Sequence, residues 1–222
     1  KYDEVMNEQR EVIYDERRRV LNGESMRTVI MKMITDIVEN AVDMSISDEQ
    51  GTEEWDLTEL NTLLLPIIPL PPVALKDDQK DMKKNELKHM LKEAATKLYE
   101  AKEAEFPEAE QIREIERVIL LKVIDAKWMA HIDDMDQLRE GIGLQAYGQR
   151  DPLVEYKMSG YEMFDSMTAA IREDTVRILF HIRVEQKVER EPAAKVTGTN
   201  KDDTAVNAPK KREAKKIYPN DP

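Results

Sequence analysis

The chain contains no cysteine. That excludes disulfides, cysteine-ligated zinc and thiol catalysis, and it fits a cytosolic chain. Glycine and phenylalanine are scarce, 7 and 3 in 222 residues, against 12 methionines. With abundant Glu, Lys, Leu and Ala, that balance favours helix over sheet. No apolar run approaches the roughly 20 residues of a membrane-spanning helix. The longest, from Leu63 to Leu70, is broken by Pro66 and Pro69. No signal-peptide pattern opens the chain. Cations are outnumbered, giving a net charge of −12. The segment from Gln186 onward is basic, so the body before it is more acidic still. Such a surface repels phosphate, and nucleic acid is not an expected partner.

What is present is helical periodicity, strongest between Glu114 and Val184. Leu121, Ile124, Trp128, Ile132, Met135, Leu138 and Ile142 recur at steps of three and four, the mark of one apolar helix face. Gly141 and Gly143 are expected to stop this helix, because glycine loses more entropy in a helix than alanine does. Asp151 and Pro152 then restart it as N-cap and first helical residue. Tyr156, Phe164, Met167, Ile171 and Ile178 form the stripe of the second arm. A short glycine-spaced loop makes the arms antiparallel neighbours. Leu144 and Tyr147 are the only large apolar groups in that loop.

Upstream, Tyr2 to Leu21 reads as a helix with a narrow apolar seam of Val5/Met6, Val12/Ile13 and Val20/Leu21. Its pattern is already running at Tyr2 with no N-cap, so the helix is expected to begin further upstream. Asn22 and Gly23 end it. Ser25 to Met44 carries a wider apolar face that requires burial. Asp56 with Glu59 resembles a capping box for a short helix ending at Leu65. Pro66, Pro69, Pro71 and Pro72 then forbid regular helix, yet apolar residues persist among them, so the segment is expected to be packed. Leu87, Met90, Leu91, Ala94 and Leu98 mark a helix from about Asp81 to Glu105. After Val184 the periodicity fades, and residues 186–222 are expected to be a disordered linker ending in a basic patch.

Candidate chemistry is thin. The glycines from Gly143 to Gly148 have the spacing of a phosphate loop but lack its Lys and Ser/Thr, and they lie between helices. Glu86 and His89 form one Glu-x-x-His, whereas a bundle metal centre needs two and further carboxylates. His131 beside Asp133, Asp134 and Asp136 reads as a solvated or ion-pairing face, since consecutive acids on a helix diverge. Trp128 reads as core. Tyr147 is either tucked back on the hairpin or displayed to a partner. The basic tail is open between binding anionic lipid or nucleic acid and serving as a solubilising linker. No nucleophile–base pair is readable. The expected fold is all-α, with long helices, an antiparallel two-helix hairpin and a small inserted helical subdomain. The expected role is interaction or mechanics. A self-standing helical adaptor is the alternative.

The hairpin residues also carry a resemblance. Ile124-Asp-Ala-Lys-Trp128-Met-Ala-His131-Ile-Asp-Asp-Met-Asp136, then Leu138-Arg-Glu-Gly-Ile142, Tyr147-Gly-Gln-Arg-Asp-Pro152 and Glu155-Tyr-Lys157 closely resemble the bacterial preprotein translocase ATPase family SecA. Tyr2-Asp-Glu-Val5 and Asn7-Glu-Gln-Arg10 look like that family's long scaffold helix. Lys215 to Pro222 looks like the run before its cysteine-rich zinc tail. The resemblance implies helical scaffold at 1–44, helical wing at 45–106, scaffold two-helix finger at 107–185 and C-terminal linker at 186–222. It implies a fingertip of Leu144, Tyr147, Gln149 and Arg150 that contacts the SecY channel and the unfolded preprotein. It implies an arm, with Trp128, His131, Leu138 and Arg139, that regulates ATP hydrolysis. It implies the motor domains as partners and a place at the cytoplasmic face of the plasma membrane. No cofactor is expected in this chain: ATP and magnesium belong to motor domains whose motifs it lacks, and no cysteine follows Pro222 for zinc.

Overall fold

The computed structural model describes residues 2–23, 25–75, 81–142 and 151–183 in full, and the backbone alone at 143–145. Six α-helices carry these residues: α1 (Tyr2–Leu21), α2 (Met26–Ser45), α3 (Leu57–Leu64), α4 (Lys84–Glu103), α5 (Ala109–Gln145) and α6 (Pro152–His181). No strand occurs among the described residues, so the fold is all-α. No helix among them is long and apolar enough to cross a membrane.

Local chemistry accounts for most boundaries. Gly23 adopts φ 88°, a left-handed conformation that favours glycine, and separates α1 from α2. Asp56 caps α3 by accepting the Glu59 N–H at 2.8 Å. Asp151 caps α6 by accepting the Leu153 N–H at 2.9 Å, and Pro152 follows at the first position. Glu86 reaches back to the Lys83 N–H at 2.9 Å and closes the start of α4. The proline run after α3 is packed: Ile67, Ile68, Leu70 and Val73 are all buried. Asn61 staples it, donating to the Val73 carbonyl at 3.0 Å and accepting the Val73 N–H at 2.7 Å. The prolines themselves have no N–H to donate.

Two expectations require correction. The first arm does not stop at Gly141 or Gly143; α5 runs on to Gln145. Each interior glycine costs only about 1 kcal/mol relative to alanine. Ile142 between them is buried with Met135 and Tyr156, which holds the helix together there. Ile178 does not face the core but is 40% exposed. At that end α6 turns Thr175, Val176, Leu179 and Phe180 inward instead, because it packs on α2 and α4 as well as on α5.

The buried apolar residues form two clusters. The larger joins α2, α3, α4, the later part of α1 and the base of the hairpin; Ile30, Ile34, Leu60, Leu87, Leu120 and Leu179 are fully buried in it. The smaller lies further along the hairpin and holds Val5, Met135, Ile142 and Tyr156, with Tyr2, Met6, Leu138 and Met163 around it.

Candidate functional site

The hairpin is long. At 1.5 Å per residue the 37 residues of α5 span about 55 Å, and α6 about 45 Å. A two-helix arm of that length buries only one stripe per helix unless a third helix covers it. Here α1 does so. It runs antiparallel to α5: Asp3 faces Arg139 at 3.6 Å, and Arg17 donates both Nε and Nη2 to the Asp125 carboxylate at 2.8 and 3.2 Å. It runs parallel to α6, with the Tyr2 and Tyr156 rings edge-on at 4.8 Å and the Tyr161 hydroxyl donating to Glu8 at 2.8 Å.

The polar centre of this seam is Gln9, which is 2% exposed. Its side-chain Nε2 donates to the backbone carbonyl of Gly160 at 2.9 Å. Its Oε1 lies 2.8 Å from His131 Nε2. A carbonyl can only accept, so the amide nitrogen must face Gly160 and the amide oxygen must face the histidine. His131 therefore carries its proton on Nε2. Burial pulls the His131 pKa below the ordinary histidine value, with nearby Asp134 opposing in part. The ring packs against Trp128, centroids 5.6 Å apart, and edge-on against Phe164 at 5.7 Å. Gly160 allows the close approach: a Cβ there would lie 2.8 Å from Met135 Cε. The helices meet where α6 has no side chain.

A second buried polar group locks the hairpin base to α4. Glu116 is fully buried. It accepts the Tyr99 hydroxyl and the Arg113 guanidinium, and Arg113 also reaches Glu103. Arg27 of α2 pairs with Glu100 and Glu103. Burial pushes the Glu116 carboxyl above the ordinary carboxylate value, against the pull of Tyr99 and Arg113. Burial, with Glu116 beside it, likewise raises the Tyr99 hydroxyl. Tyr99 sits edge-on to Phe180 at 5.5 Å, which ties α6 to the same point. Nearer the tip, about three turns along α5 from Glu116, Lys127 pairs with Asp174 of α6 at 2.6 Å.

The arm residues singled out from sequence fall into this frame unequally. Trp128 is core, 6% exposed, as its stripe position implied. His131 is not on a solvated face but is 3% exposed. It turns toward Gln9 while Asp133, Asp134 and Asp136 stay exposed, because a buried imidazole N–H needs an acceptor and Gln9 supplies one. Leu138 is partly buried against the smaller cluster, and Arg139 is half-exposed opposite Asp3. Leu144 belongs to α5 by backbone, with its side chain outside the described residues; Tyr147, Gln149 and Arg150 lie outside them altogether. His89 is exposed, and Glu86 serves as a helix cap. No metal-holding cluster of His, Cys, Asp or Glu occurs among the described residues. Sequence reasoning missed Gln9, Gly160 and Glu116. Gln9 could have been found as the one polar residue at a seam position between Met6 and Ile13.

Comparison with known proteins agrees with this architecture. The family model described as the SecA wing and scaffold domain matches residues 1–183. The protein translocase subunit SecA of Lachnoclostridium phytofermentans is 70% identical over 229 residues, covering 100% of this chain and 26% of the relative. That of Clostridium novyi is 46% identical over 222 residues, covering 99% of this chain and 26% of the relative. The SecA 1 subunit of Alkaliphilus metalliredigens is 45% identical, covering 100% of this chain and 25% of the relative. The chain thus spans about a quarter of the length of the curated relatives it matches. It belongs to the SecA wing and scaffold family.

Proposed function

We propose that this chain is the scaffold, wing and two-helix-finger module of a protein-exporting translocase. In this reading 1–44 and 107–185 form the scaffold and finger, 45–106 the wing, and 186–222 a linker. The finger carries Leu144, Tyr147, Gln149 and Arg150 to the SecY channel mouth and the unfolded preprotein. The observation that carries the reading is the hairpin itself: two long antiparallel helices, braced by α1 from about Asp125 to Arg139 and anchored at their base by the Tyr99–Glu116–Arg113 group. A braced arm transmits position from its base to its tip. An aromatic at the tip offers sequence-tolerant apolar contact, which suits a machine that handles any chain.

The arm residues act as transmission in this proposal. Trp128 and His131 are buried, so they influence a motor through the packing of α5 against α1 and α6 rather than by touching nucleotide. The module itself holds no ATP, magnesium or zinc; nucleotide is bound by the motor domains with which it assembles. Its working place is peripheral, at the cytoplasmic face of the plasma membrane, with the basic tail available to anionic lipid.

The test is site-specific crosslinking from position 147 in a full-length translocase carrying this sequence, with channel-containing membranes and a stalled preprotein. Adducts to preprotein or channel are expected. Adducts confined to the same chain would move the assignment to a self-standing adaptor. Calorimetry of the isolated chain with ATP and magnesium should show no saturable binding, and saturable binding would overturn that part of the proposal.

A further inference from the structure

We propose that Gln9 is a register key: one buried amide that sets the axial position of the hairpin along α1. The inference concerns the packing of this chain and does not depend on its role in export. The residues α1 buries are Val5, Gln9, Ile13 and Val20. Tyr2, Met6, Gln9, Ile13 and Val20 follow coiled-coil spacing, with the partly buried Glu16 at the position between Ile13 and Val20, and Gln9 is the one polar residue that α1 fully buries. Aliphatic contact is non-directional, and the exposed ion pairs beside the seam, Arg17–Asp125 and Asp3–Arg139, contribute little.

Gln9 changes that. In the observed register its amide satisfies two elements at once, α6 through the Gly160 carbonyl and α5 through the His131 N–H. The pairing is directional, since the carbonyl accepts and the imidazole donates. A one-turn slip brings Val5 or Ile13 to this point. The His131 N–H then faces a hydrocarbon, and the Gln9 amide is buried elsewhere among apolar groups. Each unpaired buried group disfavours the slipped state by on the order of tenfold or more. Gly160 sharpens the selection, because the close approach exists at one point of α6. A single polar residue in a coiled-coil core acts in the same way, giving up some stability for a unique alignment. Gln9 is thus a positioning residue that acts through His131 and Gly160.

The chain has no cysteine, so two can be introduced and spin-labelled without background. Arg18→Cys and Glu140→Cys place labels on exposed positions well separated along the seam. Pulsed electron paramagnetic resonance should give one narrow distance with Gln9 intact. Gln9→Leu should give a broadened or doubled distribution, with components about 5 Å apart, one helical turn, together with some loss of thermal stability from the His131 N–H left without its acceptor. A single unchanged distance in Gln9→Leu would overturn the proposal. Should Gln9→Leu fail to fold, nitrogen-15 NMR of His131 in the otherwise unaltered chain decides. Protonation at Nε2 with a bare Nδ1 is expected, and the opposite tautomer or a mixture would overturn the proposal.

Discussion

At its base the hairpin shares a core with α2, α3 and α4; beyond the Gln9 crossing it shares one only with α1. The first core is deep, built of fully buried Ile, Leu and Val from five helices and sealed by the Glu116 group. The second, among the described residues, holds four buried apolar side chains, with partly exposed neighbours and the exposed Asp3–Arg139 pair beside it. Exposed ion pairs contribute little, about 0 to 1 kcal/mol. The same sequence device, an apolar stripe at helical spacing, therefore yields two stabilities along one helix. The difference is made by what covers the stripe, not by the stripe.

The comparison can be broken by matched substitutions. Ile34→Ala in the base removes a fully buried side chain from a core that cannot collapse around it, and should cost about 3 to 5 kcal/mol of global stability by denaturant unfolding. Met135→Ala in the outer cluster should cost less, about 2 kcal/mol, because that cluster is small and its neighbours are only partly buried. If the two costs are equal, the base is not the deeper core. Arg113→Met tests the polar seal. It leaves Glu116 buried without its cation, and a loss of about 3 kcal/mol is expected, recovered in large part by adding Glu116→Leu. Absence of that recovery would show that the pair is not the source of the loss.

Acid should separate the regions further. The folded His131 pKa lies below the unfolded value of about 6.5, so below that pH the unfolded chain binds the proton more readily. Its contribution is complete above about pH 6.5 and declines as pH falls, by at most about 1.4 kcal/mol per pH unit. Glu116 has the opposite sign. Its folded pKa is raised, so its unfavourable contribution is relieved as pH falls through that value. The difference between the parent chain and His131→Gln isolates the histidine, and it should narrow between about pH 6.5 and 5. Asp43 and Asp174 are held low, Asp43 by its bonds to Lys84 and Lys88 and Asp174 by Lys127 and Arg177 outweighing burial. Their stabilising contributions are lost only as pH falls below about 3.8. The smallest effect is a gain. The Thr175 hydroxyl is buried without a partner among the described residues, and Thr175→Val should raise stability by about 1 kcal/mol in the same unfolding assay.

Much of this fold was legible from periodicity and punctuation. Asp151 with Pro152, Asp56 with Glu59, and Asn22 with Gly23 mark helix boundaries through local chemistry, and the structure places boundaries there. The stripe from Leu121 to Ile142 was legible because helical spacing is a property of neighbouring residues. Gly141 misled because its local cost is small beside the burial of Ile142, which depends on Tyr156 across the hairpin. Ile178 misled because the surface covering α6 changes from α5 and α1 to α5, α2 and α4 near the base. His131 and Gln9 lie 122 residues apart, and nothing local reveals their bond. Glu116, in a run of charged residues, reads as surface until Tyr99 and Arg113 are brought to it.

The most direct measurement is native-state hydrogen exchange across α5 at amide resolution. Two cores of unequal depth predict that amides from Leu120 to Trp128 exchange only through global unfolding. Those from Asp136 to Ile142 should exchange through a local opening several kcal/mol less costly, insensitive to denaturant at low concentration. Equal exchange free energies along both stretches, with the same denaturant dependence, would contradict the account.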